Sequence, residues 1–271
     1  MSNIENVVDA ILDRGYAVFP MQENLKTSFE QIPTALAAVS PAEKQSFSFP
    51  SRLDGFLPFG QEHAENNPDH PDLCERYCYF RKNRKEHEQY PTSSTPFYNL
   101  IADYEQNIAS LSEIVLSKVF ERLGGPVPEA PGADSYIQLC NYSPEYDALG
   151  KNRAYLMDPH IDGQLLTFIA QTEQGLMVEH GSEMQPVCFS STEMFVMAGK
   201  LLEVATDGVV KGLLHGVVRN QSRNHRLSVI YFQNPCFEAK PYQSLRTGRS
   251  IDFLAVANDI HRSYGNPSYT A

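Results

Sequence analysis

The sequence predicts a mainly β fold with flanking helices: a two-sheet jelly roll, or double-stranded β-helix, supported by one long helix. Three observations lead there. From residue 136 onward, short apolar and β-branched runs alternate with turn residues, the pattern of an antiparallel jelly roll. Ahead of them, Leu100, Tyr104, Ile108, Leu111, Val115, Val119 and Leu123 recur in steps of three and four, a helix that Gly124-Gly125-Pro126 stops. Finally, 271 residues with 42% hydrophobic and 20% charged side chains suit one sizeable core. No repeat, low-complexity stretch or linker interrupts the chain. A single domain over 1–271 is therefore expected, with a mixed helical part at 1–130, a jelly-roll core at 131–236 and a C-terminal helical segment at 237–271.

The elements follow in order. Ile4, Val7, Val8, Ile11 and Leu12 have amphipathic-helix spacing, and residues 16–19 read as a strand. Residues 24–39 read as a second helix. Ser40-Pro41-Ala42-Glu43 then offers an N-cap serine with proline at the first helical turn. Residues 50–71, rich in Pro, Asn, Gly and His, read as one long loop, and such a loop in a compact domain is more often functional than idle. Residues 73–80 read as a strand, and Arg81-Lys82-Asn83-Arg84-Lys85 as an exposed turn. Past the long helix, residues 165–169, 214–218 and 226–232 have strand composition throughout. Residues 199–206 fit one or two helical turns, and residues 251–264 a C-terminal helix.

Bulk properties exclude several functions. With 22 basic and 33 acidic residues the net charge is −11, which disfavours nucleic acid and anionic membrane surfaces. Cys74, Cys78, Cys140, Cys188 and Cys236 are odd in number and scattered, without zinc-site spacing, so they are expected to be reduced thiols of a cytoplasmic protein. No signal peptide is evident at the acidic N-terminus, and no run approaches the roughly 20 apolar residues of a membrane span.

The chemistry concentrates in the strand-rich part. His160 and Asp162 are two residues apart, and on an extended strand residues i and i+2 share a face. His215, 53 residues after Asp162, can return from another strand of the same sheet. Two His and one carboxylate on one face of a metal form the facial triad of non-haem Fe(II) oxygenases, which leaves the other coordination positions open. Arg226 and Ser228 repeat the i, i+2 geometry. Such a pair suits a carboxylate, which Arg can hold with two parallel charge-assisted hydrogen bonds. Each piece alone is common, since an isolated His-x-Asp usually marks two solvated residues. Their order and strand context are what make a metal site the expectation. His180, His225 and His261 stand unaccompanied and are read as outside it, while Lys211, Arg219 and Arg223 are read as solvated charges.

The ordered set resembles a known family. Asn141-Tyr142-Ser143-Pro144, His160-Ile161-Asp162-Gly163 with Leu166-Thr167, Gly175-Leu176-Met177-Val178, residues 198–208, His215-Gly216-Val217 and Arg226-Leu227-Ser228 are similar to the catalytic core of the Fe(II)/2-oxoglutarate-dependent dioxygenases of the isopenicillin N synthase-like family. Residues 13–19, Asp54-Gly55-Phe56 with Glu62, and Asp72-Leu73-Cys74-Glu75 resemble that family more weakly. The chain departs from the family pattern at Ser143, where a tyrosine that often helps to hold 2-oxoglutarate is usual. It also has Gly199-Lys200 in place of Gly-Asp, and His215-Gly216-Val217 in place of His-Arg-Val.

The resemblance implies roles. His160, Asp162 and His215 would bind Fe(II), leaving two positions for 2-oxoglutarate and one for O2. Arg226 and Ser228 would hold the far carboxylate of 2-oxoglutarate, and Asn141 its near end. Phe232, on the face of Arg226 and Ser228, would line the substrate pocket, with Phe168 and Tyr142 as further candidates. The implied reaction is hydroxylation, desaturation or cyclisation of a small metabolite or biosynthetic intermediate, with succinate and CO2 as co-products. Related halogenases place a small residue where this chain has Asp162, which argues against halogenation. Two alternatives stay open. One is an isopenicillin N synthase-like or aminocyclopropanecarboxylate oxidase-like iron oxidase that turns the Arg-x-Ser pair on its own substrate. The other is a non-catalytic jelly-roll binding protein, against which the retention of all three ligands stands. Specificity is left to residues 50–71 and 145–158, where Lys151 and Arg153 point to a polar or acidic substrate.

Overall fold

The computed structural model describes residues 4–64, 66–87, 95–129, 132, 134–150, 152–219 and 225–269. The N-terminal part contains α1 (Ile4–Arg14), β1 (Tyr16–Pro20), α2 (Glu23–Ala37), α3 (Pro41–Ser46), β2 (Ser48–Phe49), β3 (Asp54–Leu57), β4 (Glu75–Phe80), α4 (Arg84–His87) and α5 (Thr95–Leu123). The strand-rich part follows, with β5 (Tyr136–Tyr142), α6 (Pro144–Leu149), β6 (Tyr155–Ile161), β7 (Leu166–Gln171), β8 (Leu176–His180), β9 (Glu183–Pro186), β10 (Glu193–Ala198), α7 (Lys200–Ala205), β11 (Leu214–Val218) and β12 (Arg226–Gln233). A short hairpin, β13 (Tyr242–Gln243) and β14 (Ser250–Ile251), precedes α8 (Phe253–Ser263).

Apart from that hairpin, the strands form two antiparallel sheets. The larger has the order β1-β10-β7-β12-β5-β4-β3-β2, the smaller β6-β11-β8-β9. The larger sheet is buried on both faces. One face meets the helices, where Leu227, Val229 and Tyr231 of β12 pack with Tyr104, Ile108, Val115 and Val119 of α5. The other looks into the space between the sheets, where Ile230 and Phe232 pack with Tyr136, Met157 and Val178. Each of these large apolar side chains contributes roughly 1.5–3 kcal/mol by leaving water, so α5 buttresses the wall on which the site is built.

Local signals behave as their chemistry requires. Ser40 caps α3 by accepting from the Glu43 amide at 3.2 Å, and Asp252 caps α8 by accepting from the Ala255 amide at 3.0 Å. The loop expected over 50–71 is broken by β3, which pairs with β2 and β4. Gly55 makes this possible. It sits at φ 72°, and a Cβ there would lie 2.2 Å from the Phe47 carbonyl oxygen, so only glycine lets these strands meet. The basic run at 81–85 is likewise more committed than an exposed turn, because Arg81 donates to the buried Glu105 at 2.8 Å.

Candidate metal centre

His160 and His215 are cross-strand partners in the β6–β11 register, so pairing of the smaller sheet sets their imidazoles side by side. The ring centroids are 4.4 Å apart. Asp162 follows the end of β6, and its Oδ1 lies 3.4 Å from His160 Nε2 and 3.7 Å from His215 Nε2. One ligand atom from each of the three falls within 4.8 Å of the others. The remaining atoms are already engaged. His160 Nδ1 bonds the Asp158 carbonyl at 2.9 Å, His215 Nδ1 bonds the Leu213 carbonyl at 3.2 Å, and Asp162 Oδ2 accepts from Thr167 Oγ1 at 2.7 Å. With each Nδ1 serving as donor, both Nε2 atoms and one carboxylate oxygen are turned toward a common centre. Outer partners of this kind orient metal ligands and raise their basicity.

The charges are arranged to match. Burial works against a charged His160 ring, but the hydrogen bond and charge of Asp162 outweigh it and lift the group to about 9. Burial dominates at His215, which is pushed down to about 4 and stays neutral. Asp162 is raised by burial yet ends below the ordinary carboxylate range, held there by His215, His160 and the Thr167 hydroxyl. One excess proton therefore sits where a cation would.

A second polar centre lies further along the inner face of β12. Arg226 is 2% exposed, and its Nη2 donates to Gln171 Oε1 at 3.0 Å. Its Nε and Nη1 and the Ser228 hydroxyl have no partner among the described residues. Nor does any carboxylate there pair with Arg226, whose guanidinium lies 4.9 Å over the Tyr142 ring. A buried, unneutralised cation is costly unless an anion is to join it. Two free guanidinium N–H groups beside a free hydroxyl suit a carboxylate of a bound molecule.

The structure separates the other expected residues. Phe232 lines the cavity beside the triad, and Tyr142 is on the inner face, its hydroxyl 3.8 Å from the sulfur of the cavity residue Met157. Phe168 is not in the pocket. It pairs with Tyr231 in the β7–β12 register and belongs to the helix-side core, because alternation along β7 turns it away. Asn141 is also misplaced by the expectation. On β5 it falls between the inward-facing Cys140 and Tyr142, and its amide donates to Glu75 at 3.4 Å instead. Arg153 does not face a substrate either; it holds the Pro71 carbonyl at 2.5 Å and pairs with Asp158 at 3.3 Å. Arg219 donates to the Gly150 carbonyl at 3.0 Å. Lys151 and Arg223 lie outside the described residues.

Glu62, Asp72, Gln138, Tyr264 and Asn266, with no role assigned from the sequence, line the cavity with the triad, as does His261, which the sequence reading left outside the site. The C-terminal chain reaches it because Asn266 Nδ2 donates to Glu62 Oε1 at 2.6 Å and the His63 amide donates to the Tyr264 carbonyl at 3.2 Å. Tyr264 also donates to the Ile161 carbonyl at 2.5 Å, next to Asp162. Asp72 is buried beside His160, and burial raises it to about 8. No periodicity could have found this wall, since it joins residues far apart in the chain.

The two antiparallel sheets are those of a double-stranded β-helix, and the three converging groups His160, Asp162 and His215 could hold a metal; comparison with known proteins adds to this. Residues 134–235 match the family model of the 2OG-Fe(II) oxygenase superfamily. It is 30% identical over 139 residues to 2-oxoglutarate-dependent dioxygenase 19 of Oryza sativa subsp. japonica, covering 49% of this chain and 41% of that protein. It is 27% identical over 154 residues to gibberellin 2-beta-dioxygenase 3 of Arabidopsis thaliana, covering 53% of this chain and 45% of that one. The chain thus spans about half the length of the curated relatives it matches. Among solved structures, a full-length Neurospora crassa protein in complex with alpha-KG and thymine superposes with a TM-score of 0.75 at 16% identity, over 96% of this chain and 91% of that one. JOX2 in complex with 2OG, Fe and JA superposes with a TM-score of 0.71 at 17% identity, over 99% and 82%. These likenesses establish the fold. Among the described residues, no helix is long and apolar enough to cross a membrane.

Proposed function

We propose that this chain, acting as one domain, is a non-haem Fe(II)- and 2-oxoglutarate-dependent oxygenase of a small molecule. In this reading His160, Asp162 and His215 hold the iron, and Arg226 with Ser228 holds the far carboxylate of 2-oxoglutarate. The observation that carries it is the pairing of two complementary sets of groups. Three converging ligand atoms have their outer atoms already hydrogen-bonded, and a buried Arg226 on the inner face lacks a counter-anion among the described residues. The donor set of two imidazoles and one carboxylate fits Fe(II) with open positions. When bound, the metal and its co-substrate supply the oxidative decarboxylation that releases succinate and CO2 and drives attack on a substrate C–H bond.

The chain's own residues bind, orient and exclude water. Thr167 keeps Asp162 Oδ2 occupied so that Oδ1 faces the metal. The Asp158 and Leu213 carbonyls fix both imidazole orientations. Met157, Ile169, Ile230 and Phe232 give the cavity an apolar side that keeps bulk water from the reacting centre. The five cysteines are free thiols, which fits the reducing cytoplasm expected for an Fe(II) enzyme.

The direct test is an anaerobic titration of Fe(II)-loaded protein with 2-oxoglutarate, read by its visible metal-to-ligand charge-transfer band. A saturable band is expected. Bound iron without a band would favour an oxidase that uses Arg226 on its own substrate. Two further outcomes follow. Thr167→Val should weaken Fe(II) binding about 10- to 100-fold, the usual cost of removing a partner of a ligand, as measured by competition with a chelator. Metal uptake at pH 7 should release about one proton, that of His160. Its folded-state value lies above the ordinary imidazole value, so apparent Fe(II) affinity should rise with pH until about 9 and then level off. An indicator-dye titration showing no proton release would contradict this.

A further inference from the structure

The cavity wall formed by Asp72, Glu62, Arg76 and Asn266 is unbalanced in a definite way. Arg76 is 2% exposed and forms its close ion pair with Glu62, leaving Asp72 Oδ2 at 3.7 Å. Glu62 is then saturated: Asn266 Nδ2 donates to Oε1 at 2.6 Å, and Gln138 Nε2 lies 3.4 Å from Oε2. Asp72 is 3% exposed, and its Oδ1 has no partner among the described residues; neither has Asn266 Oδ1. Both residues line the cavity that holds the triad. Of the other cations near Asp72, Arg153 is committed to Asp158 and the Pro71 carbonyl, and His160 to Asp162 and the Asp158 carbonyl. Two carboxylates thus face one guanidinium, and both of these unfilled positions are acceptors. An unpaired acceptor in a dry site is costly, and most costly when it is a carboxylate.

We propose that Asp72, assisted by the Asn266 carbonyl, docks a cationic nitrogen group of the substrate, an ammonium, amidinium or guanidinium, and so sets the substrate class. This rests on the oxygenase reading above, with the anionic co-substrate at Arg226 and the substrate at the acidic wall that includes Asp72. A carboxylate substrate would meet the Glu62 of the Arg76 ion pair with like charge and bring no donor to Asp72. The matched charge also holds the substrate by one end, which is how a pocket orients a particular C–H bond toward the metal.

The test uses benzamidine and benzoate, which share a ring and differ in charge. The protein is loaded with Mn(II) and 2-oxoglutarate, and paramagnetic broadening of each probe's ring protons is followed by NMR. Benzamidine should be broadened saturably and benzoate at least fivefold less at equal concentration. In Asp72→Asn the benzamidine affinity should fall about tenfold or more, the cost of losing a charged hydrogen-bond acceptor. Equal broadening of both probes, none for either, or an unchanged preference in Asp72→Asn overturns the assignment. A water on the metal acting as donor to Asp72 would produce one of these results. The wild-type comparison stands without any variant. Binding of Mn(II) and 2-oxoglutarate is measured in the same samples, so their failure would instead count against the oxygenase reading.

Discussion

Replacing Arg226 with methionine is expected to abolish measurable 2-oxoglutarate binding while making the ligand-free protein more stable. The two effects have one cause. Arg226 is almost wholly buried, and only one of its terminal nitrogens has a partner among the described residues. Holding a cation there without a counter-anion costs folding free energy, and apolar replacements of buried charges are often neutral or stabilising by about 1–4 kcal/mol. Removing one partner of a buried charge pair costs about 2–5 kcal/mol of binding, and loss of a bidentate contact belongs at the upper end, near a thousandfold in affinity. Calorimetric titration of Fe(II)-loaded protein and thermal unfolding of the free form check the two halves. Fe(II) binding itself should be unaffected. A variant that binds 2-oxoglutarate as before would sink the assigned role of Arg226.

His160→Ala should be more damaging to the metal. His160 supplies one of three converging atoms, and its ring is also the charged neighbour that helps to keep Asp162 ionised. Substitution of a mere supporting partner already costs 10- to 100-fold in metal affinity, so loss of a ligand should exceed about a hundredfold. Equilibrium dialysis followed by metal analysis reads this directly. Stoichiometric Fe(II) retained by His160→Ala would refute the triad. The comparison with Thr167→Val matters here, because a general loosening of the site would lower both variants equally, whereas the geometry ranks them.

Much of this site can be read from residue spacing, and the reason is local geometry. His160 with Asp162, and Arg226 with Ser228 and Phe232, are related by the two-residue repeat of a strand, so a shared face follows from the backbone alone. The long helix α5 is similarly declared by its three-and-four spacing. A strand repeat states which residues share a face; it does not state which face looks into the pocket. In an exposed sheet the polar face would answer that. Here every residue of β12 and β7 is buried, because helices cover one side of the sheet and the smaller sheet covers the other. Alternation then carries no polarity and does not tell that Phe168 faces the helices, while Asn141, taken from the family resemblance, lies on the face of β5 turned to Glu75.

The acidic wall lay further beyond the reach of sequence. Asn266 meets Glu62 across 204 positions of chain, and Asp72 reaches the triad only because the loop before β4 and the segment after α8 close over the same cavity. Such contacts are decided by packing of whole elements, through a net balance of large opposing terms, and leave no periodic trace in the residues. The sequence by itself picked out His160 with Asp162 and Arg226 with Ser228 as candidate pairs, since each pair depends on neighbours along one strand, and strand pairing then brought His215 to the first of them. Only the tertiary structure decided which face of that sheet looks into the cavity and that Asp72, Glu62 and Asn266 line it too, since those depend on what is brought against the sheet.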